Sequence, residues 1–279
     1  MSVKRERREM VIAELAEKIA NKYFSDITPI NPFLIAGYEG INYNHSSFNE
    51  EFLGLTQYYG GQVPFHIFIN KRQLKSLKNT RARSTMGHEL GHCLINEHKM
   101  ELEKGNSLSW DGVNNYSANK IIEWEAETFS ANLLMPRNRF ISTCGQYGDG
   151  MEAILHASEI FDTSISSTAY HYSKCDVSPC ISVKWNSKGE IENYWVSKGF
   201  LKILKNKLLL KYNSKRPLTD CKLIGSQNSK LSYNQSHTYL SSWFLDLESH
   251  TIPDMLLIEE SFKMGEHGGV SILRMESYK

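Results

Sequence analysis

The sequence predicts an α+β fold in two parts: a helix-rich domain with one small hairpin, followed by a smaller mixed α/β domain. Three observations lead there. Segments with apolar residues at helical spacing occupy residues 3–24, 81–98 and 119–135. The stretch "FLGLTQYYGGQVPFHIFIN" carries two strand-like runs around Gly60-Gly61. After Pro179 the texture turns to short strand-like runs.

Taken in order, residues 3–24 place Val11, Leu15, Ile19 and Phe24 on one helical stripe between charges. A turn-rich segment with Pro29 and Pro32 precedes the hairpin. "RARSTMGHELGHCLINEH" reads as a helix, and the polar residues 99–116 read as a surface loop. "NKIIEWEAETFSANLLM" is a helix closed by Pro136. Residues 151–174 form the outline of a helix-turn-helix, two short helices around a Ser/Thr-rich turn. "CISVKW", "IENYWVS" and a late hairpin around Gly265–Gly269 supply the later strands. The domains are expected at 1–175 and 176–279.

Composition narrows the classes. The chain has 279 residues, 41% hydrophobic and 11% aromatic, which suits a globular core. A net charge of +1 gives no overall field for nucleic acid or membrane. No apolar run approaches the roughly 20 residues of a membrane span, and "MSVKRERREM" has no signal-peptide core. A cytoplasmic location is expected, with no membrane partner. Cys93, Cys144, Cys175, Cys180 and Cys221 form no CxxC pair, so reduced thiols are expected.

The chemistry concentrates in "GHELGHC". On a helix His88 and His92 lie one turn apart on one face, where two imidazoles can meet one ion. Glu89 projects about 100° away, placed to hold a water rather than to ligate. Neutral imidazoles suit Zn²⁺, and a catalytic zinc keeps three protein ligands and an open position. Glu89 is then the expected general base. Gly91 permits close approach of a neighbouring element.

Two sources compete for the third ligand. His98 has the spacing of HExxHxxGxxH, but that pattern wants glycine where this chain has Ile95, a poor residue for a positive-φ turn. His98 is therefore expected on the surface near the helix end. The other source is the helix holding Glu123 and Glu127 on one face, beside an apolar stripe. Glu123 suits the third ligand and Glu127 a carboxylate that orients a histidine. A solvated acidic edge including Glu125 is the plainer alternative.

"RSTMGHELGHCLI" followed by "EWEAETFSANLLMP" resembles the ImmA/IrrE family of zinc-dependent metallopeptidases. The N-terminal helix, the strands of residues 52–70 and "ILHASEIFDTSISSTAYHY" are similar too, so the likeness covers about residues 5–174. It implies a zincin-like metallopeptidase domain with one zinc per chain, His88, His92 and Glu123 as ligands, and Glu89 as base. Family members often carry Asn or Asp where this chain has Glu127. The family's job implies an endopeptidase that cleaves a helix-turn-helix transcriptional repressor, releasing stress-response, mobile-element or phage-defence genes. It also implies that residues 176–279 form a GAF-like sensor domain.

Three further features bear on control. The stretch Lys198–Lys222 holds eight Lys or Arg and one acid, Asp220, with Trp195, Phe200 and Tyr212 nearby. Lys202, Lys205 and Lys207 could contact single-stranded nucleic acid; a solvated helix face is the plainer reading, and a small-molecule activator is the alternative signal. His171 and Tyr172 could act as oxyanion donors, although packed side chains are commoner at such positions. Two rival functions stand beside the peptidase. One is a DNA-binding regulator with a structural metal, the other a metal-dependent hydrolase of small amides.

Overall fold

The computed structural model describes residues 3–49, 52–74, 79–105, 116–204, 222–225, 232–244 and 254–276. The chain divides into two compact units, residues 1–137 with 160–163, and residues 138–159 with 164–279.

The first unit opens with α1 (Val3–Phe24). Its buried stripe is Ile12, Ala16, Ile19 and Ala20, whereas Val11 is 55% exposed. Of the expected stripe, Ile19 and Phe24 are buried and Leu15 packs partly buried against the core, while Ile12 rather than Val11 takes the first buried position. Next come α2 (Pro32–Tyr38), capped by the Asn31 side chain, and β1 (Asn42–Ser46). The hairpin follows as β2 (Gly54–Tyr58) and β3 (Phe65–Asn70), antiparallel, with Tyr58 opposite Phe65. Gly60 and Gly61 take positive φ in the connection, which glycine adopts without a steric cost. β1 pairs parallel with β3, so the sheet order is β1-β3-β2.

Four helices complete this unit: α3 (Lys71–Leu74), α4 (Thr80–Leu94), α5 (Asn96–Glu103) and α6 (Tyr116–Leu134). Asn79 caps α4 by accepting the Ala82 N–H at 2.7 Å. Ile67, Ile69, Leu90, Phe129 and Leu133 lie in one buried core with the α1 stripe. Part of the surface loop expected over residues 99–116 is instead helix α5. Ile95 explains the outcome: it ends α4 with φ −77° and ψ 117°. That is an extended conformation natural to a β-branched residue, and it lets a new helix start in a new direction. Residues 106–115 lie outside the described set.

The second unit contains α7 (Arg137–Gly145) from residue 138, most of α8 (Met151–Phe161), and α9 (Ile165–Lys174) capped by Ser164. Its strands are β4 (Cys180–Trp185), β5 (Ile191–Val196), β6 (Lys222–Gly225), β7 (Ser232–Tyr239), β8 (Leu256–Lys263) and β9 (Gly269–Arg274), with α10 (Lys198–Ile203) between β5 and β6. They form an antiparallel sheet of order β5-β4-β9-β8-β7-β6. Its core gathers Ile181, Val183, Phe200, Trp243, Phe244 and Leu273. Buried Glu260 accepts from Arg274 Nη2 at 2.6 Å and from the Met151 N–H at 2.7 Å, fastening the start of α8 to β8. Together these elements make a mixed α+β chain, helical in its first unit and sheet-based toward its C-terminus.

Candidate metal centre

Helix α4 presents His88 and His92 on one face, and their Nε2 atoms stand 3.1 Å apart. Helix α6 brings Glu123 to the same point, with Oε2 at 3.0 Å from His88 Nε2 and Oε1 at 3.6 Å from His92 Nε2. Donor atoms around a tetrahedral zinc, at bonds of about 2.0–2.2 Å, lie roughly 3.3–3.5 Å from one another. The three side chains therefore fit one small divalent ion, and their two-nitrogen, one-oxygen set is that of a site with an open position.

What brings the two helices so close is glycine. A Cβ on Gly91 would lie 3.1 Å from Ala126 Cα and 3.3 Å from Phe129 Cβ, so the side-chain-free face of α4 rests against α6. The close approach expected of Gly91 is present, and it sets the reach from His88 to Glu123.

Glu89 is buried on the neighbouring face, and its Oε2 accepts the Thr56 hydroxyl at 2.7 Å. Burial raises its pKa, with the Glu123 charge adding and His88 and the Thr56 hydrogen bond opposing. Strand β2 therefore supplies a positioning group for this carboxylate. Nothing in the sequence marks Thr56 for this role, because a threonine in a strand carries no signal of its partner.

The imidazoles differ in their electrostatics. Burial, then the neighbouring His88 and His98, holds the His92 pKa well below its usual value, so the ring is neutral. For His88 burial acts downward, but the Glu123 hydrogen bond and surrounding carboxylates outweigh it and raise the pKa. Glu127 lies exposed on α6.

His98 is the chief correction. It was expected on the surface; it is 1% exposed, with Nδ1 at 3.2 Å from His92 Nδ1 and Nε2 at 3.0 Å from Glu125 Oε2. The turn at Ile95 returns the chain as a second helix, which carries His98 to the far nitrogen of His92 rather than to the side facing His88 and Glu123. Glu125, read as a possible solvated edge, is buried as well. Arg8 grips it with Nε to Oε1 at 2.8 Å and Nη2 to Oε2 at 2.7 Å.

Buried Arg83 ties the start of α4 to its surroundings, donating to the carbonyls of Ile30 at 2.7 Å and Asp162 at 3.0 Å. His171 and Tyr172 are buried in the second unit. The Tyr172 hydroxyl accepts the Gly150 N–H at 3.1 Å and pairs with Ser178, while His171 packs edge-on to Phe140. Lys202 is exposed on α10; Lys205 and Lys207 lie outside the described residues.

A helix bearing His-Glu-x-x-His and a second helix bearing Glu123 bring together a group that could hold a metal ion. Residues 40–170 match the family model of the IrrE N-terminal-like domain, a peptidase family, and this segment of the chain belongs to that family. Among solved structures, a Mycobacterium tuberculosis transcriptional regulator aligns with a TM-score of 0.51 at 11% identity, over 97% of this chain and 78% of that one. At that identity the likeness concerns the fold. Comparison with curated proteins gives no match. Among the described residues no helix is long and apolar enough to cross a membrane.

Proposed function

We propose that the protein is a zinc-dependent endopeptidase of the cytoplasm that cleaves a helix-turn-helix transcriptional repressor. The observation that carries this reading is the convergence of His88, His92 and Glu123 donor atoms beside a buried Glu89. When bound, zinc supplies a Lewis acid and an acidified water. His88, His92 and Glu123 hold the ion. Glu89 takes the water's proton during attack on the scissile carbonyl and returns it to the leaving amine. Thr56 keeps the carboxylate aimed. The family of residues 40–170 supports a metallopeptidase, and the structural neighbour's name, transcriptional regulator, fits a regulatory setting.

Residues 176–279 are the proposed sensor domain, GAF-like in kind, with single-stranded nucleic acid or a small molecule as activator. The exposed Lys202 is compatible with phosphate contact.

The test is to incubate the purified protein with repressors encoded beside its gene. His88→Ala, His92→Ala and Glu123→Ala should each lose most of about one zinc per chain. Glu89→Gln should keep zinc and lose cleavage by ~10²–10⁴-fold. Wild-type turnover by metal-loaded Glu89→Gln sinks the mechanism. Specific duplex binding without cleavage would turn the reading to a DNA-binding regulator, and turnover of small amides alone would turn it to a hydrolase. The same assay with short DNA strands at two salt concentrations tests the sensor; an unaltered cleavage rate rejects nucleic acid as the signal.

A further inference from the structure

Four helices contribute one residue each to a buried chain that ends on the metal centre: Arg8 from α1, Glu125 from α6, His98 from α5 and His92 from α4. The links are 2.7–2.8 Å from Arg8 to Glu125, 3.0 Å from Glu125 to His98 and 3.2 Å from His98 to His92. Its three inner members, Glu125, His98 and His92, are 6%, 1% and 3% exposed.

The proton inventory of this chain has one solution with both rings neutral. Glu125 is ionised, because Arg8 binds both its oxygens, and an ionised carboxylate only accepts. His98 must then carry its proton on Nε2 and donate it to Glu125. That leaves His98 Nδ1 bare, facing His92 Nδ1. Two bare nitrogens at 3.2 Å would repel and two N–H groups would clash, so His92 Nδ1 carries the single shared proton. A neutral imidazole has one proton, so His92 Nε2 is left with its lone pair, pointing to His88 Nε2 and Glu123. The opposite tautomer would set a hydrogen where the ion belongs.

We propose that His98 and Glu125 are positioning residues for the metal. They lock His92 in the Nδ1–H tautomer and pass the carboxylate's charge through the His98 ring to make His92 a better donor. Arg8 holds Glu125 in place and keeps its charge fixed. A metal-ligating histidine commonly donates its second N–H to a carboxylate or carbonyl, and losing that partner costs 10–100-fold in metal affinity. Here an extra imidazole is interposed, which extends the device across four helices.

The inference rests on the metal-site reading, and the experiment keeps the two separable. Zinc affinity of the full-length protein is measured by chelator competition for wild type, His98→Phe and Glu125→Gln. The phenyl ring preserves packing and removes both nitrogens. Both variants should bind zinc 10–100-fold more weakly. In parallel, ¹⁵N NMR of the zinc-free wild type should find His92 protonated at Nδ1 and bare at Nε2, and His98→Phe should show a tautomer mixture. Zinc affinity unchanged in folded His98→Phe overturns the proposal. So does an Nε2–H tautomer in the wild type, a measurement that stands even if a variant fails to fold. A wild type that binds no zinc defeats the function proposed above while the tautomer still reports on the chain. Tight zinc with no repressor cleavage defeats only the substrate.

Discussion

Position 54 has no side chain, and Glu89 depends on that. A Cβ added to Gly54 would lie 2.6 Å from Glu89 Oε1 and 2.7 Å from Thr85 Cγ2, closer than carbon atoms tolerate. Gly54→Ala should therefore push the Glu89 carboxylate off its Thr56 hydrogen bond. Overpacking of this kind costs about 1–3 kcal/mol, and turnover should fall at least tenfold with zinc content retained, as read by kcat and metal analysis on one sample. Undiminished kcat would mean that Glu89 has room to spare. At this scale the sequence was readable where chemistry imposes spacing. His88, Glu89 and His92 announce themselves by one helical turn, and Glu123 by its place on an apolar helix. His98 and Glu125 did not, because their roles depend on the direction the chain takes after Ile95, which no residue pattern encodes. Thr56 depends likewise on which helix lies over β2.

Helix packing decides the next prediction. Replacing Gly91 by alanine would gain about 1 kcal/mol of helix propensity. Against this, the new methyl meets the Ala126 backbone at 3.1 Å and the Phe129 side chain at 3.3 Å. A backbone atom in a packed helix yields little, so the steric cost of about 1–3 kcal/mol should win. Gly91→Ala should lower the melting temperature and, by parting α4 from α6, weaken zinc binding; a more stable variant with full zinc would refute the close-packing account. Elements with strong periodicity or turn chemistry were legible, among them α4, α6, the β2–β3 hairpin and the β8–β9 hairpin. Three were not. β1 reads Asn-Tyr-Asn-His-Ser and is exposed throughout, so it has no alternation to detect. β7 reads Ser-Tyr-Asn-Gln-Ser-His-Thr-Tyr, and pairing with β8 makes it a strand. α5 is polar enough to pass for a loop.

For the whole molecule, acid-base behaviour at high pH offers a check on the second unit. Burial pushes the thiols of Cys144 and Cys180 up to about 12, whereas an unfolded cysteine ionises near 8.5. Between those values the folded chain keeps protons that the unfolded chain has released. Stability contributed by these groups is therefore lost as pH rises above about 8.5, and they add no pH dependence below about 7.5. Cys180→Ala should flatten the fall of melting temperature between about pH 8 and pH 10.5. A variant curve parallel to the wild type would show that this thiol is not shielded. The change of texture after Pro179 did announce the C-terminal sheet. Helices of residues 138–174 count largely with that sheet by packing, an allegiance set by buried surface rather than by order along the chain.

One consequence follows from the placement of the third donor on α6. A ribosome makes this chain from its N-terminus, so His92 is joined thirty-one residues before Glu123. At about 5–20 residues per second that interval lasts roughly 2–6 s. During it the nascent chain has the two motif imidazoles without Glu123, and Glu125 arrives later still. On the zinc reading proposed above, metal capture in the cell would be timed by completion of α6, not by the emergence of the histidine motif.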